Sequence, residues 1–155
     1  GEREALRNDP EAIIIRTAWV YSAYGNNFVK TMLRLMNSRE TLNVVADQHG
    51  SPTYAADLAE AIMHIIMSGE WVPGIYHYTN DGIISWFDFA SQIQKLSGAA
   101  CAVMPITTEQ YPTPAKRPKY SVLDKSKIQN TYGLPLKDWK QSLESCIVLL
   151  SKEVS

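Results

Sequence analysis

Residues 12–36 decide the fold, and their sequence is AIIIRTAWVYSAYGNNFVKTMLRLM. The apolar, β-branched run at residues 13–15 predicts a buried strand. Apolar side chains recur at helical spacing up to Met36, which predicts an amphipathic helix over residues 27–36. Residues 16–21 between them are polar and aromatic and follow no period. A strand, a polar loop and a helix in this order are typical of α/β proteins, whose ligands bind at the carboxyl ends of the strands.

The rest of the chain continues this alternation of apolar strands and amphipathic helices. Further strands are predicted at residues 42–46, 74–78 and 102–106, and helices at residues 56–68, at 126–133 and after Leu136. Ser85 and Asp88 form a capping-box pattern before another helix, which ends at Gly98. The alternation predicts an α/β fold with parallel strands and helices in three layers.

One helix carries a specific burial prediction. Within residues 56–68, the side chains expected to form the buried face are Leu58, Ile62, Ile65 and Ile66. The chain itself opens as a helix already under way, without an N-cap. We expect such an opening where Gly1 is a cloning remnant or where the chain has been cut from a longer protein.

Composition narrows the class of protein. The 155 residues include 15 Lys+Arg and 16 Asp+Glu, for a net charge of −1, and their length suffices for one domain with a core. We expect no nucleic-acid partner, because no basic stripe is present, and no membrane partner, because the apolar runs are short. Cys101 and Cys146 belong to no motif and are predicted to be free, buried thiols in a cytoplasmic protein.

Several chemistries find no support in the sequence. His49, His64 and His77 share no ligand spacing with one another or with a cysteine, so no metal site is predicted. The sequence contains no Gly-x-Ser-x-Gly nucleophile elbow and no phosphate-binding Walker loop. It also lacks the glycine-rich loop that opens a dinucleotide-binding fold.

The remaining polar and aromatic residues favour recognition of a small polar molecule. Trp19 and Tyr21 can stack on a base or a sugar, and Asn26 begins a helix whose N-terminus favours an anion. Arg117, in the Pro-rich loop at residues 107–119, can pair with a diphosphate. Each also has a structural interpretation: Trp19 as core, Asn26 as a helix cap and Arg117 as a solvated side chain.

Several segments resemble one enzyme family in colinear order. Residues 16–21 read RTAWVY, residues 25–29 read GNNFV, and residues 50–54 read GSPTY. The match continues at residues 44–48, 57–59, 74–77, 117–118, 121 and 123–124. Together these segments resemble the dTDP-4-dehydrorhamnose reductases, bacterial enzymes of the extended short-chain dehydrogenase/reductase class.

The resemblance implies a reductase that converts dTDP-4-dehydro-L-rhamnose to dTDP-L-rhamnose with NADPH or NADH, for polysaccharide biosynthesis. It implies that residues 1–155 are the substrate-binding, C-terminal part of a Rossmann-like protein of this class. In the family, the catalytic Tyr-x-x-x-Lys helix closes with a Gly-Glu pair, which Gly1-Glu2 resembles. The catalytic Tyr and Lys and the N-terminal dinucleotide-binding part are therefore expected upstream of residue 1. The chain alone is expected to be inactive.

The resemblance also assigns roles to residues on the cofactor and sugar sides of the site. Thr17 and Ala18 are implied to lie beside the nicotinamide of the cofactor. Trp19 is implied to pack on the substrate in an open crevice. Asn26 and Asn27 are implied to hold the sugar nucleotide near its diphosphate.

The resemblance implies roles for four further residues on the nucleotide side of the site. Gln48, Ser51 and Thr53 are expected to line it, and Arg117 is expected to approach the phosphates.

The alternatives to a reductase are a related nucleotide-sugar epimerase or dehydratase and a non-catalytic regulatory subunit of the same fold. The expected partner is a dTDP-sugar. An open strand edge at residues 12–17 also predicts an exposed apolar face, and through it self-association or a homodimer.

Overall fold

The computed structural model describes residues 1–153, and it shows an α/β protein. The helices are α1 Glu2–Asn8, α2 Phe28–Met36, α3 Ala55–Met67, α4 Trp86–Ser97, α5 Ser126–Tyr132 and α6 Trp139–Glu153. The strands are β1 Ile13–Arg16, β2 Val20–Tyr21, β3 Thr41–Val45, β4 His49–Gly50, β5 Thr53–Tyr54, β6 Gly74–His77, β7 Ile84–Ser85 and β8 Ala102–Ile106. A short 3₁₀ helix, Thr108–Gln110, follows β8.

The strands form four two-stranded sheets, whereas the alternating pattern predicted one parallel sheet between layers of helices. Strands β1 and β6, β2 and β5, and β3 and β8 pair in parallel, which confirms the predicted strand direction. Strands β4 and β7 pair antiparallel. The four predicted strands lie within one residue of the observed β1, β3, β6 and β8 at each end. The four two-residue strands are too short to show any period in the sequence.

Strand β1 differs from its prediction in burial. Ile13, Ile14 and Ile15 are half-buried rather than buried. Ile13 and Ile15 pack against a core cluster formed with α3, β6 and α5, whereas Ile14 has its side chain on the opposite face of the strand. A continuous apolar run predicts burial on both faces, and residues 1–153 pack only one face of β1 into this cluster.

The buried side chains form two clusters. The larger one is built mainly from α2, α4, α6 and the strands β2, β3 and β5, and the smaller one from α3, β6 and α5. Trp139, Leu143 and Cys146 of α6 are buried in the larger cluster, as the predicted apolar stripe requires. Cys101 and Cys146 are both free and buried, which confirms the prediction for the thiols.

The predicted buried face of α3 is confirmed for Ile65 and in part for Leu58, which packs against the smaller core cluster, but it is wrong for Ile62 and Ile66. Ile62 and Ile66 are 39% and 57% exposed, whereas Asp57 is only 4% exposed. The face that packs inward contains Asp57, Ala61 and Ile65, because a buried hydrogen-bond network draws Asp57 into the protein. None of the helices in residues 1–153 combines the length and the apolar character that spanning a bilayer requires.

Candidate functional site

The loop after β1 is held in place by the hydroxyl group of Thr53. Thr53 Oγ1 donates a hydrogen bond to the backbone oxygen of Ala18 at 2.8 Å and accepts one from Thr17 Oγ1 at 3.0 Å. The backbone N–H of Thr53 also donates to the oxygen of Trp19 at 3.2 Å. Thr53 is completely buried, so these bonds fix the backbone of residues 17–19 at the carboxyl end of β1.

Trp19 has an unusual backbone conformation. Its φ angle is +49°, and it is the one non-glycine residue with positive φ among residues 1–153. A bulky side chain rarely adopts this left-handed region, and the conformation costs on the order of 1–3 kcal/mol. Its indole ring stacks on the ring of Trp86, with 3.5 Å between the ring centroids and 14° between the planes.

Trp86 is fixed by the start of α4. The Ser85 side chain accepts a hydrogen bond from the N–H of Asp88, and the Asp88 carboxylate accepts one from the N–H of Ser85. This capping box, which the sequence predicted, fixes the first turn of the helix. The ring of Phe28 lies 4.7 Å from that of Trp86, so the Trp86 ring also contacts α2.

Trp19 and Trp86 border a cavity of about 320 Å³. Its lining residues are Ala18, Trp19, Gln48, Trp86, Arg117, Pro118 and Ser121. They come from the loop after β1, the segment before β4, the start of α4 and the Pro-rich loop. Within the described residues 1–153, no Asp or Glu lines this cavity.

The Pro-rich loop is attached to the site at both of its ends. At the first end, Gln48 Nε2 and the Asp47 carboxylate both bond Thr108 of the 3₁₀ helix. The hydrogen bond from the Thr108 hydroxyl lowers the pKa of Asp47, which stays ionised near neutral pH. At the second end, the backbone of His49 donates to Lys119 and accepts from Ser121.

These attachments place the Arg117 side chain at the cavity. Arg117 is exposed, and none of the ion pairs formed within residues 1–153 includes it. A guanidinium group offers paired donors that match the geometry of a phosphate or carboxylate. The cavity therefore combines an aromatic wall, an amide side chain and an unpaired cation. Such a lining suits an anion that carries a ring, such as a nucleoside diphosphate linked to a sugar.

A second polar cluster lies around Asp57 in α3. The Asp57 carboxylate accepts hydrogen bonds from Asn80 at 2.7 Å, from Lys137 at 2.9 Å and from the hydroxyl of Ser142. The side-chain oxygen of Asn80 in turn accepts from the backbone N–H of Tyr54 at 2.7 Å. Hydrogen bonds to Glu60 and Asp57 raise the pKa of Lys137. Every polar atom in this cluster that faces the interior has a partner, and the cluster joins α3, α6 and β5.

A family comparison agrees with the geometry. Residues 1–151 match the family model of the RmlD substrate binding domain. The chain belongs to this family. Membership of this family agrees with the α/β fold of residues 1–153.

Individual relatives point to the same family. The chain is 48% identical to the dTDP-4-dehydrorhamnose reductase of Aggregatibacter actinomycetemcomitans, over 94% of this chain and 53% of that protein. It superimposes on a crystal structure of a dTDP-4-dehydrorhamnose reductase from Clostridium acetobutylicum with a TM-score of 0.91 and 45% identity, covering 97% of this chain and 52% of the other. For the reductase of Bacillus anthracis in complex with NADP, the TM-score is 0.88, the identity 40% and the coverage 96% and 51%. The chain thus spans about half the length of these relatives.

The structure brings together only part of the predicted site of this RmlD domain. Ala18, Trp19, Gln48 and Arg117 line the same cavity. Thr17 and Thr53 lie behind the cavity wall, where their hydroxyl groups bond each other and the backbone of Ala18. Ser51 is 1% exposed and donates to the backbone oxygen of Gly82, so its hydroxyl group supports the fold.

The two asparagines lie outside the cavity lining. Asn27 caps α2: its side-chain oxygen accepts from Lys30 N–H, and its side-chain nitrogen donates to the oxygen of Ser22 at 2.7 Å. Asn26 is exposed. Tyr21, predicted as a stacking surface, is 1% exposed and packs between Tyr54 and Phe89, so this residue belongs to the core.

Sequence reasoning missed three lining residues: Trp86, Pro118 and Ser121. Trp86 follows the capping serine directly, and an aromatic residue at the first position of a helix lies at the helix end, where ligands often bind. Ser121 itself bonds the backbone of His49, and Pro118 precedes Lys119, which also bonds it, so the position of both residues depends on a contact between segments distant in sequence. Only the first of these signals is visible in the sequence.

Proposed function

We propose that this chain is the sugar-nucleotide-binding part of an NAD(P)H-dependent reductase that converts dTDP-4-dehydro-L-rhamnose to dTDP-L-rhamnose. The observation that carries the proposal is the cavity in which the stacked Trp19–Trp86 pair faces an unpaired Arg117. In it, the aromatic wall packs on the sugar nucleotide, and the guanidinium group of Arg117 binds the diphosphate. The names of the relatives support the choice of substrate.

The chain contributes only part of a cofactor site. Thr17 and Ala18 lie at the carboxyl end of β1, and they would lie beside the nicotinamide when NADPH or NADH is bound. The sequence has no glycine-rich loop to hold the diphosphate of a dinucleotide. The related reductase from Bacillus anthracis was solved with NADP, which supports this cofactor for the complete gene product. When bound, the nicotinamide supplies the hydride, and the residues of this chain orient the sugar that receives it.

We propose that residues 1–155 alone do not catalyse the reduction. Their sequence contains no Tyr-x-x-x-Lys pair to serve as proton donor. A mixture of the chain, NADPH and dTDP-4-dehydro-L-rhamnose should therefore show no loss of NADPH absorbance above background. The complete gene product should show turnover under the same conditions. Turnover by residues 1–155 would contradict the first statement, and an inactive gene product that still binds the sugar nucleotide would favour the regulatory-subunit alternative.

Binding tests the proposed function directly. Calorimetry of the complete gene product with thymidine diphosphate should give measurable affinity, and Arg117→Ala should raise the dissociation constant by about tenfold or more, because hydrogen bonds to charged groups contribute about 1.5–3 kcal/mol. Lys116→Ala is the matched control, since Lys116 is also exposed and cationic but does not line the cavity. Equal effects of the two substitutions would show that Arg117 contributes only its positive charge and no specific contact with the diphosphate. Absence of binding would contradict the function.

The remaining proposals concern partners and location. We propose a cytoplasmic, bacterial protein whose partner is a dTDP-sugar and which binds neither nucleic acid nor membranes. The two free, buried thiols support a reducing compartment. We also propose that residues 1–155 self-associate through the open edge and apolar face of β1, which pairs with β6 as its one strand neighbour among residues 1–153. Sedimentation at increasing concentration should show species larger than a monomer, and a monomer at all concentrations would contradict this.

A further inference from the structure

We infer that Trp86 positions Trp19 for the sugar nucleotide: the indole of Trp86 holds the indole of Trp19 at the cavity wall, and Gly50 leaves the space that this arrangement needs. The inference rests on the proposed function, because it concerns the same cavity. It adds a role for two residues outside the predicted site.

The two tryptophans differ in how firmly their backbones are fixed. Trp86 is the first residue of α4, behind a complete capping box, and its ring also contacts Phe28. Trp19 lies in a loop, and its φ of +49° is unfavourable for a bulky residue. Such a conformation persists only when surrounding contacts compensate for its cost. The stack at 3.5 Å on the fixed ring of Trp86 is the contact that engages the Trp19 side chain itself.

Gly50 limits the position of the Trp19 ring from another direction. A Cβ atom added to Gly50 would lie 2.7 Å from both Cε2 and Cζ2 of Trp19, closer than carbon atoms approach without displacement. Gly50 belongs to β4, whose partner β7 leads directly into Trp86. The β4–β7 pair therefore contains the glycine that gives the Trp19 ring room, and it leads directly into the residue whose ring stacks on Trp19.

Positioning of this kind is expected to improve ligand affinity. An aromatic side chain already fixed in its binding orientation loses little conformational entropy when the ligand arrives. Without Trp86, the hydrogen bonds of Thr53 still hold the backbone of residues 17–19, but the Trp19 ring loses its stacking partner and can rotate away from the cavity wall. Trp86 is thus a positioning residue, and its substitution should weaken binding in the same way as loss of Trp19.

The test compares thymidine diphosphate binding and circular dichroism in the complete gene product and its variants. Trp86→Leu should raise the dissociation constant by about two- to tenfold, because an aromatic pair contributes about 0.5–1.5 kcal/mol beyond its buried area. It should also remove the exciton couplet that stacked indoles produce in the far-ultraviolet spectrum. Trp86→Phe should restore most of the affinity, because it keeps a stacking ring. Trp71→Phe is the control, since Trp71 is 54% exposed and lies outside the cavity.

Gly50→Ala tests the same inference with Trp86 in place. The added methyl group should displace the Trp19 ring, weaken binding and reduce the couplet, so the test stands even where Trp86→Leu does not fold. Normal affinity in folded Trp86→Leu or Gly50→Ala would overturn the positioning role and leave the proposed function intact. Failure of the unsubstituted protein to bind thymidine diphosphate would overturn the proposed function, and the positioning role with it.

Discussion

The polar residues of this chain gather at two places that differ in how their hydrogen-bonding capacity is used. In the Asp57 cluster, the Asp57 carboxylate, the Asn80 amide and the Ser142 hydroxyl group are hydrogen-bonded to one another inside the protein. Around Trp19, an exposed guanidinium group has no ion pair within residues 1–153, and a bulky residue adopts a left-handed backbone. The difference separates a cluster that stabilises the fold from the surface that we propose binds the sugar nucleotide.

The largest effect on stability is expected from Asp57→Ala. The substitution removes the charged acceptor that Asn80 and Ser142 share in the interior, and a hydrogen bond to a charged group contributes about 1.5–3 kcal/mol. The free energy of unfolding should fall by about 3 kcal/mol in urea titrations, with thymidine diphosphate affinity of the folded protein nearly unchanged.

Glu60→Ala is the matched control for this prediction. Glu60 bonds the same lysine, Lys137, at 2.6 Å, but its side chain is 66% exposed. Exposed ion pairs contribute at most about 1 kcal/mol, so the control should change stability by no more than that. Similar losses for Asp57→Ala and Glu60→Ala would show that the buried network is not what holds α3, β5 and α6 together.

Trp19→Ala is expected to affect both stability and binding. The sequence alone placed Trp19 in an open crevice, where substitution costs little stability. The structure shows a half-buried ring stacked on Trp86, so we expect a loss of about 2 kcal/mol, less than the 3–5 kcal/mol of a fully buried aromatic residue. Thermal melting and calorimetry on one variant measure both quantities. Unchanged affinity together with a large stability loss would assign Trp19 to the core alone.

A smaller effect distinguishes the two asparagines. Asn27 accepts a hydrogen bond from Lys30 N–H as the cap of α2, so Asn27→Ala should lower the free energy of unfolding by about 1 kcal/mol. Asn26→Ala should leave stability unchanged, because Asn26 is exposed. If Asn26→Ala nevertheless weakens thymidine diphosphate binding, the predicted role of Asn26 near the diphosphate gains support. Equal stability losses would contradict the assignment of Asn27 as the cap.

The smallest effect appears only at alkaline pH. Burial raises the pKa of the Cys146 thiol to about 11 from an ordinary value of 9.0. The folded state therefore retains a proton that the unfolded chain releases. The contribution of this thiol to the free energy of unfolding is fully present below about pH 9 and is lost as the pH rises toward 11. Cys146→Ala should reduce this decline in urea midpoints measured between pH 8 and about 10.5. An identical decline in both proteins would show that other groups cause it.

The sequence predicted those features that depend on local periodicity or local hydrogen bonds. Strand β8, the capping box at Ser85 and the apolar stripe of α6 follow from neighbouring residues and were located correctly. The prediction of the buried face of α3 was wrong for Ile62 and Ile66, because hydrogen-bond partners more than twenty residues away in sequence draw Asp57 inward. Local hydrophobicity contains no information about such partners.

Contacts between residues distant in sequence also explain which residues of the candidate site were missed. Trp19, Gln48 and Arg117 were identified because their residue types and the family resemblance mark them. Trp86 was missed because its capping serine already explained the local pattern, and its contact with Trp19 spans 67 residues of sequence. Ser51 and Thr53 were assigned to the ligand, whereas their hydroxyl groups bond the backbone of Gly82 and Ala18.

The most direct test of the central claim uses the four tryptophans as reporters. Trp19 and Trp86 line the cavity, whereas Trp71 and Trp139 lie outside it. Thymidine diphosphate should be titrated into isotope-labelled protein while the indole N–H resonances are followed by nuclear magnetic resonance. Saturable shifts of the Trp19 and Trp86 signals, with those of Trp71 and Trp139 unchanged, are the result we predict. Shifts confined to Trp71 or Trp139, or no shift at saturating ligand, would contradict the assignment of this cavity as the sugar-nucleotide site.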